Sequence, residues 1–206
     1  MLACGTDMSS VAQQAERSGE AQTKDALRRY TYAELCAEFP ETNQLSELWE
    51  GELIVLPAPS FYHQEIVGRF CRALYDWVHL RKLGETVTAP IDLVLSEHFV
   101  AQPDVVFIAQ ERLGIIRRVI MGPADLAAEV ISLGGRNRDR ILKRDLYEQY
   151  GVKEYWIIDP EAETAEVLAL EQGTYRLVMR CGVEQTAESR LLPGFTIEMR
   201  QLFHGE

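Results

Sequence analysis

The most constraining stretch of the chain is Asp125-Leu126-Ala127-Ala128-Glu129-Val130-Ile131-Ser132, an apolar run with a carboxylate at its centre. Side chains alternate across a strand, so Asp125, Ala127, Glu129 and Ile131 share one face. An unpaired charge inside such a strand is costly, so Glu129 requires a cation or a strong donor beside it. Downstream, the periodicity predicts an amphipathic helix over about 137–150, with Ile141, Leu142, Leu146 and Tyr150 facing inward and Gly151 past its end. Tyr155-Trp156-Ile157-Ile158 reads as a second buried strand, closed by Asp159-Pro160. A helix between two apolar strands is a crossover unit, and it commits the chain to an α/β class.

The rest of the pattern fits a mixed sheet flanked by helices. Residues 1–28 are polar and small and read as a disordered tail, with Met8 an alternative start; residues 29–206 read as one domain. Thr31 and Glu34 have capping-box spacing, with Leu35, Cys36 and Phe39 as a short apolar face. A strand over 49–56 enters through Gly51 and is stopped by Pro57 and Pro59. Ser60 is placed to cap a long helix of about 60–82 that Gly84 ends. Thr86 to Leu95 alternates as a strand, Asp104 to Ile108 forms a short buried one, and strands at about 164–170 and 174–180 make a C-terminal β-hairpin around Gln172-Gly173.

Asp104 follows Pro103 at the head of an apolar strand. Two carboxylates on neighbouring strands, Asp104 and Glu129, make a site for a hard divalent cation such as Mg²⁺, which prefers oxygen ligands. Asp139, Lys143 and Tyr147 recur at i, i+4 and i+8, one stripe of the following helix, from which Lys143 can reach back toward Glu129. Two acids, a metal and a lysine suit phosphodiester hydrolysis.

Several motifs carry a resemblance. They are Gln102-Pro103-Asp104-Val105-Val106, the segment Ala124 to Ser132, Arg138-Asp139-Arg140 to Lys143-Arg144, and Tyr147 with Gly151 to Pro160. Glu47 to Glu52, Pro59 to His63 and Leu192-Pro193-Gly194-Phe195 add to them. Together they resemble the Uma-two family of the PD-(D/E)xK nuclease superfamily over about residues 30–203. The resemblance implies a restriction-endonuclease-like fold and an Mg²⁺-dependent endonuclease acting on DNA, with Mn²⁺ able to substitute. It implies Asp104, Glu129 and the backbone carbonyl of Val130 as metal ligands. In the superfamily pattern the lysine lies two residues after the glutamate, where this chain has Ile131; the resemblance implies that the following helix supplies it instead, here as Lys143. Relatives often read Ser-Pro-Ser/Thr after the glutamate strand, where this chain has Ser132-Leu133-Gly134-Gly135. Many nucleases of the superfamily act as dimers, so a homodimer is the expectation.

Each residue also has a simpler explanation. Asp104 suits a turn, Glu129 could pair with an arginine, and Lys143 could be a solvated helix lysine. Asp139 fits a cap or an i+4 partner of Lys143, and Tyr147 fits packing with a polar tip. His63 is either a cap-region residue or aimed at the site, and Glu47 is an accessory acid or a surface one. Arg136, Arg138, Arg140 and Arg144 form either a phosphate-binding edge or a solvated helix face. The formal net charge of -11 argues mildly against nucleic acid, since phosphate binding relies on Lys and Arg. That keeps open an alternative, a regulatory or nucleic-acid-binding module that retains the fold without cutting. The four cysteines are widely spaced, so neither zinc nor a disulfide framework is expected, and reduced thiols in the cytoplasm follow. No apolar run approaches the roughly 20 residues that span a bilayer.

Overall fold

The computed structural model describes residues 28–39, 45–132 and 138–205, without the side chains of Arg138 and Asp139. The tail expected over residues 1–28 falls almost wholly outside the described residues. The first helix, α1 (Tyr32–Glu38), carries the complete capping box of Thr31 and Glu34, but none of its residues is buried. Its apolar face is thus a rim contact, in which Phe39 meets the buried Tyr30 edge-on.

Two sheets face each other. The larger has the order β11-β10-β9-β8-β6-β3. Its strands are β3 (Gly84–Thr88), β6 (Val105–Ala109), β8 (Leu126–Val130), β9 (Glu154–Asp159), β10 (Thr164–Glu171) and β11 (Thr174–Gly182). Only the β8–β9 pair is parallel, and α3 (Arg144–Tyr150) crosses between them, as the strand–helix–strand pattern requires. The smaller sheet has the order β2-β1-β5-β4-β7, with β1 (Ser46–Trp49), β2 (Glu52–Val55), β4 (Leu93–Ser96), β5 (Phe99–Ala101) and β7 (Ile120–Met121).

Helix α2 (Phe61–Arg81) packs one face of the large sheet. Ile66, Phe70 and Leu74 bury against Val105, Ala128, Val130 and Trp156, joined there by α4 (Met199–His204). The opposite face, with Val106, Ala127, Ile131 and Ile157, meets α3 and the small sheet. A short ribbon of β12 (Thr186–Glu188) and β13 (Thr196–Glu198) closes the chain against the α2 side. The mixed α/β class and the hairpin at Gln172-Gly173, whose residues have φ of 53° and 81°, agree with the sequence reading.

Four expectations are corrected. Gly51 does not open a strand; with Glu50 it forms the left-handed turn of a hairpin whose first strand, β1, lies upstream. The strand expected over 86–95 is two strands in different sheets, interrupted at Pro90. Gly84 does not end α2, because Lys82 itself adopts the left-handed cap conformation. Gly84 instead allows β3 to approach β6: a Cβ there would lie 2.0 Å from the Ile108 carbonyl oxygen, at φ +148°. Gly84→Ala is therefore expected to destabilise the protein by about 2 kcal/mol or more, read from urea unfolding. Finally, Ile141 and Leu142 do not face inward but are 55% and 53% exposed. Residues Arg138–Lys143 form a wide π-type turn rather than a regular α-helix, and Lys143, Leu146 and Tyr147 take the inward positions.

Candidate active site

The register of β6 and β8 places Val105 opposite Ala128, so the next step along the pair brings Asp104 beside Glu129. Asp104 lies just before β6, where the two strands part. Its Oδ2 accepts the Val130 N–H at 2.8 Å, which ties the acid to the strand bearing Glu129. Glu129 lies in the strand interior, 3% exposed. Its Oε1 accepts from Lys143 Nζ and from the Tyr147 hydroxyl, both at 2.8 Å. The Lys143 ammonium supplies a cation of the kind that burial of Glu129 demands.

Lys143 is itself 3% exposed and touches a second acid, Glu47, whose Oε1 is 2.9 Å from Nζ. The hairpin fold explains how Glu47 arrives there. On β1, Glu47 and Trp49 share the side that faces the large sheet, while Leu48 points to a separate apolar cluster with Tyr30 and Val100. Glu47 is held by the Gln102 N–H and by Trp49 Nε1, both at 3.1 Å. Burial pushes the Glu47 carboxyl up, but Lys143 and these donors outweigh it, and the net shift is downward. Tyr147 is fully buried; burial and then the Glu129 charge raise its hydroxyl well above the usual range, so it stays a neutral donor.

His63 combines both of its expected roles. Its N–H donates to the capping Ser60 hydroxyl, and its ring Nε2 lies 3.4 Å from Asp104 Oδ2. The Val130 backbone lies close enough to the ring to favour its protonated form. Burial lowers the imidazole pKa, but Asp104 and Val130 more than offset this and the net shift is upward.

Of the arginines, Arg140 is engaged by Asp159 at 3.0 Å and Glu166 at 2.7 Å. Arg144 is half-buried near Tyr175. Arg136 lies outside the described residues, as do the side chains of Arg138 and Asp139. Asp159 closes its strand as expected, accepting the Glu161 and Ala162 N–H groups. Gln102 opens the Gln102-Pro103-Asp104 motif, and the seat that its N–H gives Glu47 follows only from the fold.

Among the described residues no three His, Cys, Asp or Glu side chains converge closely enough to hold an ion by themselves. Asp104 and Glu129, with the adjoining Val130 carbonyl, are the groups that could hold such an ion. That fits a hard cation such as Mg²⁺, which binds through one or two carboxylates and keeps several waters.

Among the described residues no helix is long and apolar enough to cross a membrane. No curated protein matches the chain. A solved structure from Anabaena variabilis ATCC 29413, described as "a putative nuclease belonging to DUF820", shares the fold. It superposes with a TM-score of 0.71 at 18% identity, covering 84% of this chain and 97% of that one. A family model described as "Putative restriction endonuclease" matches residues 30–200, and the chain accordingly belongs to the Uma2 family.

Proposed function

We propose that the chain is an Mg²⁺-dependent deoxyribonuclease whose reactive centre is Asp104, Glu129 and Lys143. The observation that carries this reading is the buried Glu47–Lys143–Glu129 arrangement beside Asp104, with Nζ 2.9 and 2.8 Å from the two glutamates. Asp104, Glu129 and the Val130 carbonyl would hold the ion. When bound, the ion lowers the pKa of a water and neutralises phosphate charge.

The remaining groups act from the protein. Lys143 is the buried donor for charge that develops on the phosphate oxygens. Glu47 gives its ammonium a second seat, so that Lys143 keeps a carboxylate partner if it yields Glu129 to a cation. Tyr147 donates to the same Glu129 oxygen as Lys143 and so helps to fix that carboxylate. His63 bears on Asp104 and holds it against Val130. One chain holds one such centre, so cutting both strands of a duplex calls for a second copy, which light scattering on the purified protein reads directly.

The test is plasmid and oligonucleotide cleavage with Mg²⁺ or Mn²⁺. Asp104→Asn is expected to lose at least about 100-fold in rate, the upper end of what loss of an outer-shell metal partner removes. Wild-type protein that cuts no better than this variant would leave the non-cutting binding module as the account of the fold.

A further inference from the structure

We propose that Asp92 and Tyr32 are positioning residues for the candidate centre, setting the place of the Lys143 ammonium through Gln102 and Glu47; the effect on cleavage rests on the nuclease reading above. Glu47 Oε1 meets Lys143 Nζ at 2.9 Å and accepts the Gln102 N–H at 3.1 Å. Gln102 follows β5, where Val100 lies opposite Leu48, so Gln102 stands opposite Ser46. Its side-chain carbonyl accepts the Ser46 N–H at 3.3 Å. One residue thus grips β1 at two adjacent positions, Ser46 and Glu47. Asp104 comes two residues after Gln102, so the same stretch also carries the other carboxylate of the centre.

The far side of the Gln102 amide is fixed by Asp92, the residue before β4. Gln102 Nε2 donates to Asp92 Oδ1 at 2.7 Å, and the Tyr32 hydroxyl donates to Asp92 Oδ2 at 2.8 Å. A carboxylate only accepts and a backbone N–H only donates, so the amide has one workable orientation between Asp92 and Ser46. Tyr32 is supplied by α1, a helix none of whose residues is buried. Burial, and then Asp92, raises the Tyr32 hydroxyl above its usual range, which keeps it a donor. Tyr32, Asp92, Gln102 and Glu47 form an unbroken hydrogen-bonded series from the rim to the buried ammonium. Outer partners of this kind hold a reactive side chain within the narrow range of positions that its chemistry needs.

The test reads the NMR signals of the lysine ammonium groups in protein carrying isotope-labelled lysine, with cleavage in Mg²⁺ read separately. Lys143 is the buried lysine among the described residues, and the Lys143→Met protein assigns its signal. Asp92→Asn sets an amide hydrogen against the Gln102 amide or the Tyr32 hydroxyl, and Gln102→Glu sets two carboxylates face to face. Each is expected to move the Lys143 signal and to lower kcat about tenfold at an unchanged KM. The double exchange, Asp92→Asn with Gln102→Glu, restores a donor and an acceptor at every contact and is expected to return both readouts toward wild type. Tyr32→Phe removes only a hydroxyl at the rim; it is expected to move the signal in the same direction, and it decides the matter if an exchange at 92 or 102 does not fold. A network that only stabilises the fold would lower stability and leave the Lys143 signal of the folded protein in place. That result overturns the inference, as does a folded double exchange no closer to wild type than the single ones. A signal that moves and returns in protein that cuts no DNA defeats the nuclease reading alone. Cleavage by wild type, with the signal and kcat unmoved in the variants, defeats this inference alone.

Discussion

Replacing Lys143 with methionine is expected to lower the melting temperature by on the order of 10 °C, because removing one partner of a buried ion pair costs roughly 3–5 kcal/mol. The cause is specific. Without the ammonium, the buried carboxylates of Glu47 and Glu129 lose the cation they share, at 2.9 and 2.8 Å. Millimolar Mg²⁺ or Mn²⁺ is then expected to recover part of the lost stability, since an ion bound only to the folded state stabilises it by mass action. Cleavage is expected to fall by about 100- to 1,000-fold, the usual loss when one preorganised donor to a developing charge is removed. Differential scanning fluorimetry with and without metal reads the first two effects. A Lys143→Met protein as stable as wild type and indifferent to metal would show that the ammonium does not hold the two acids together.

The second large effect is expected far from this centre. Glu154, fully buried on β9, accepts from Trp156 Nε1 at 2.8 Å, from Ser189 Oγ at 2.7 Å, and from the Arg190 and Leu191 N–H groups at 2.6 and 2.7 Å. It thereby fastens residues 189–192 to the sheet and orients the Trp156 ring against Phe70. Glu154→Ala leaves four donors without their acceptor. With about 1–3 kcal/mol for each buried unsatisfied group, and some relaxation, the expected loss is about 4 kcal/mol or more. Urea unfolding measures it. A loss under about 1 kcal/mol would mean that water or a neighbouring group replaces the carboxylate. Metal affinity of the folded fraction is expected to be unchanged, which separates this structural acid from Glu47 and Glu129.

The sequence revealed the local devices and the crossover, and for physical reasons. The Thr31 capping box, the Ser60 cap, the Gly151 stop and the Gln172-Gly173 hairpin each depend on a few adjacent residues. The buried Glu129 was legible because a charge in an apolar strand needs a partner. Its stripe mates Lys143 and Tyr147 follow from helical spacing, and both do reach it.

What stayed hidden depends on tertiary contact. The inward face around residue 141 departs from the apolar pattern because two polar donors, Lys143 and Tyr147, outrank apolar Ile141 and Leu142 when a buried carboxylate must be satisfied. Gly84 looked like a helix stop, since only the neighbouring strand shows why it lacks a Cβ. The role of Glu47 required the β1–β2 hairpin and the Gln102 amide to carry it into the core. The role of Glu154 required the return of residues 189–192, which no local pattern announces.

The central claim is a cation site made by Asp104, Glu129 and the Val130 carbonyl. Anomalous diffraction from crystals soaked in Mn²⁺ tests it most directly. The account predicts a single strong peak within coordinating distance of both carboxylates, with Lys143 still paired to Glu47 and the peak absent from Asp104→Asn crystals. No peak between Asp104 and Glu129 at saturating Mn²⁺, with Lys143 and Tyr147 still holding Glu129, would contradict it.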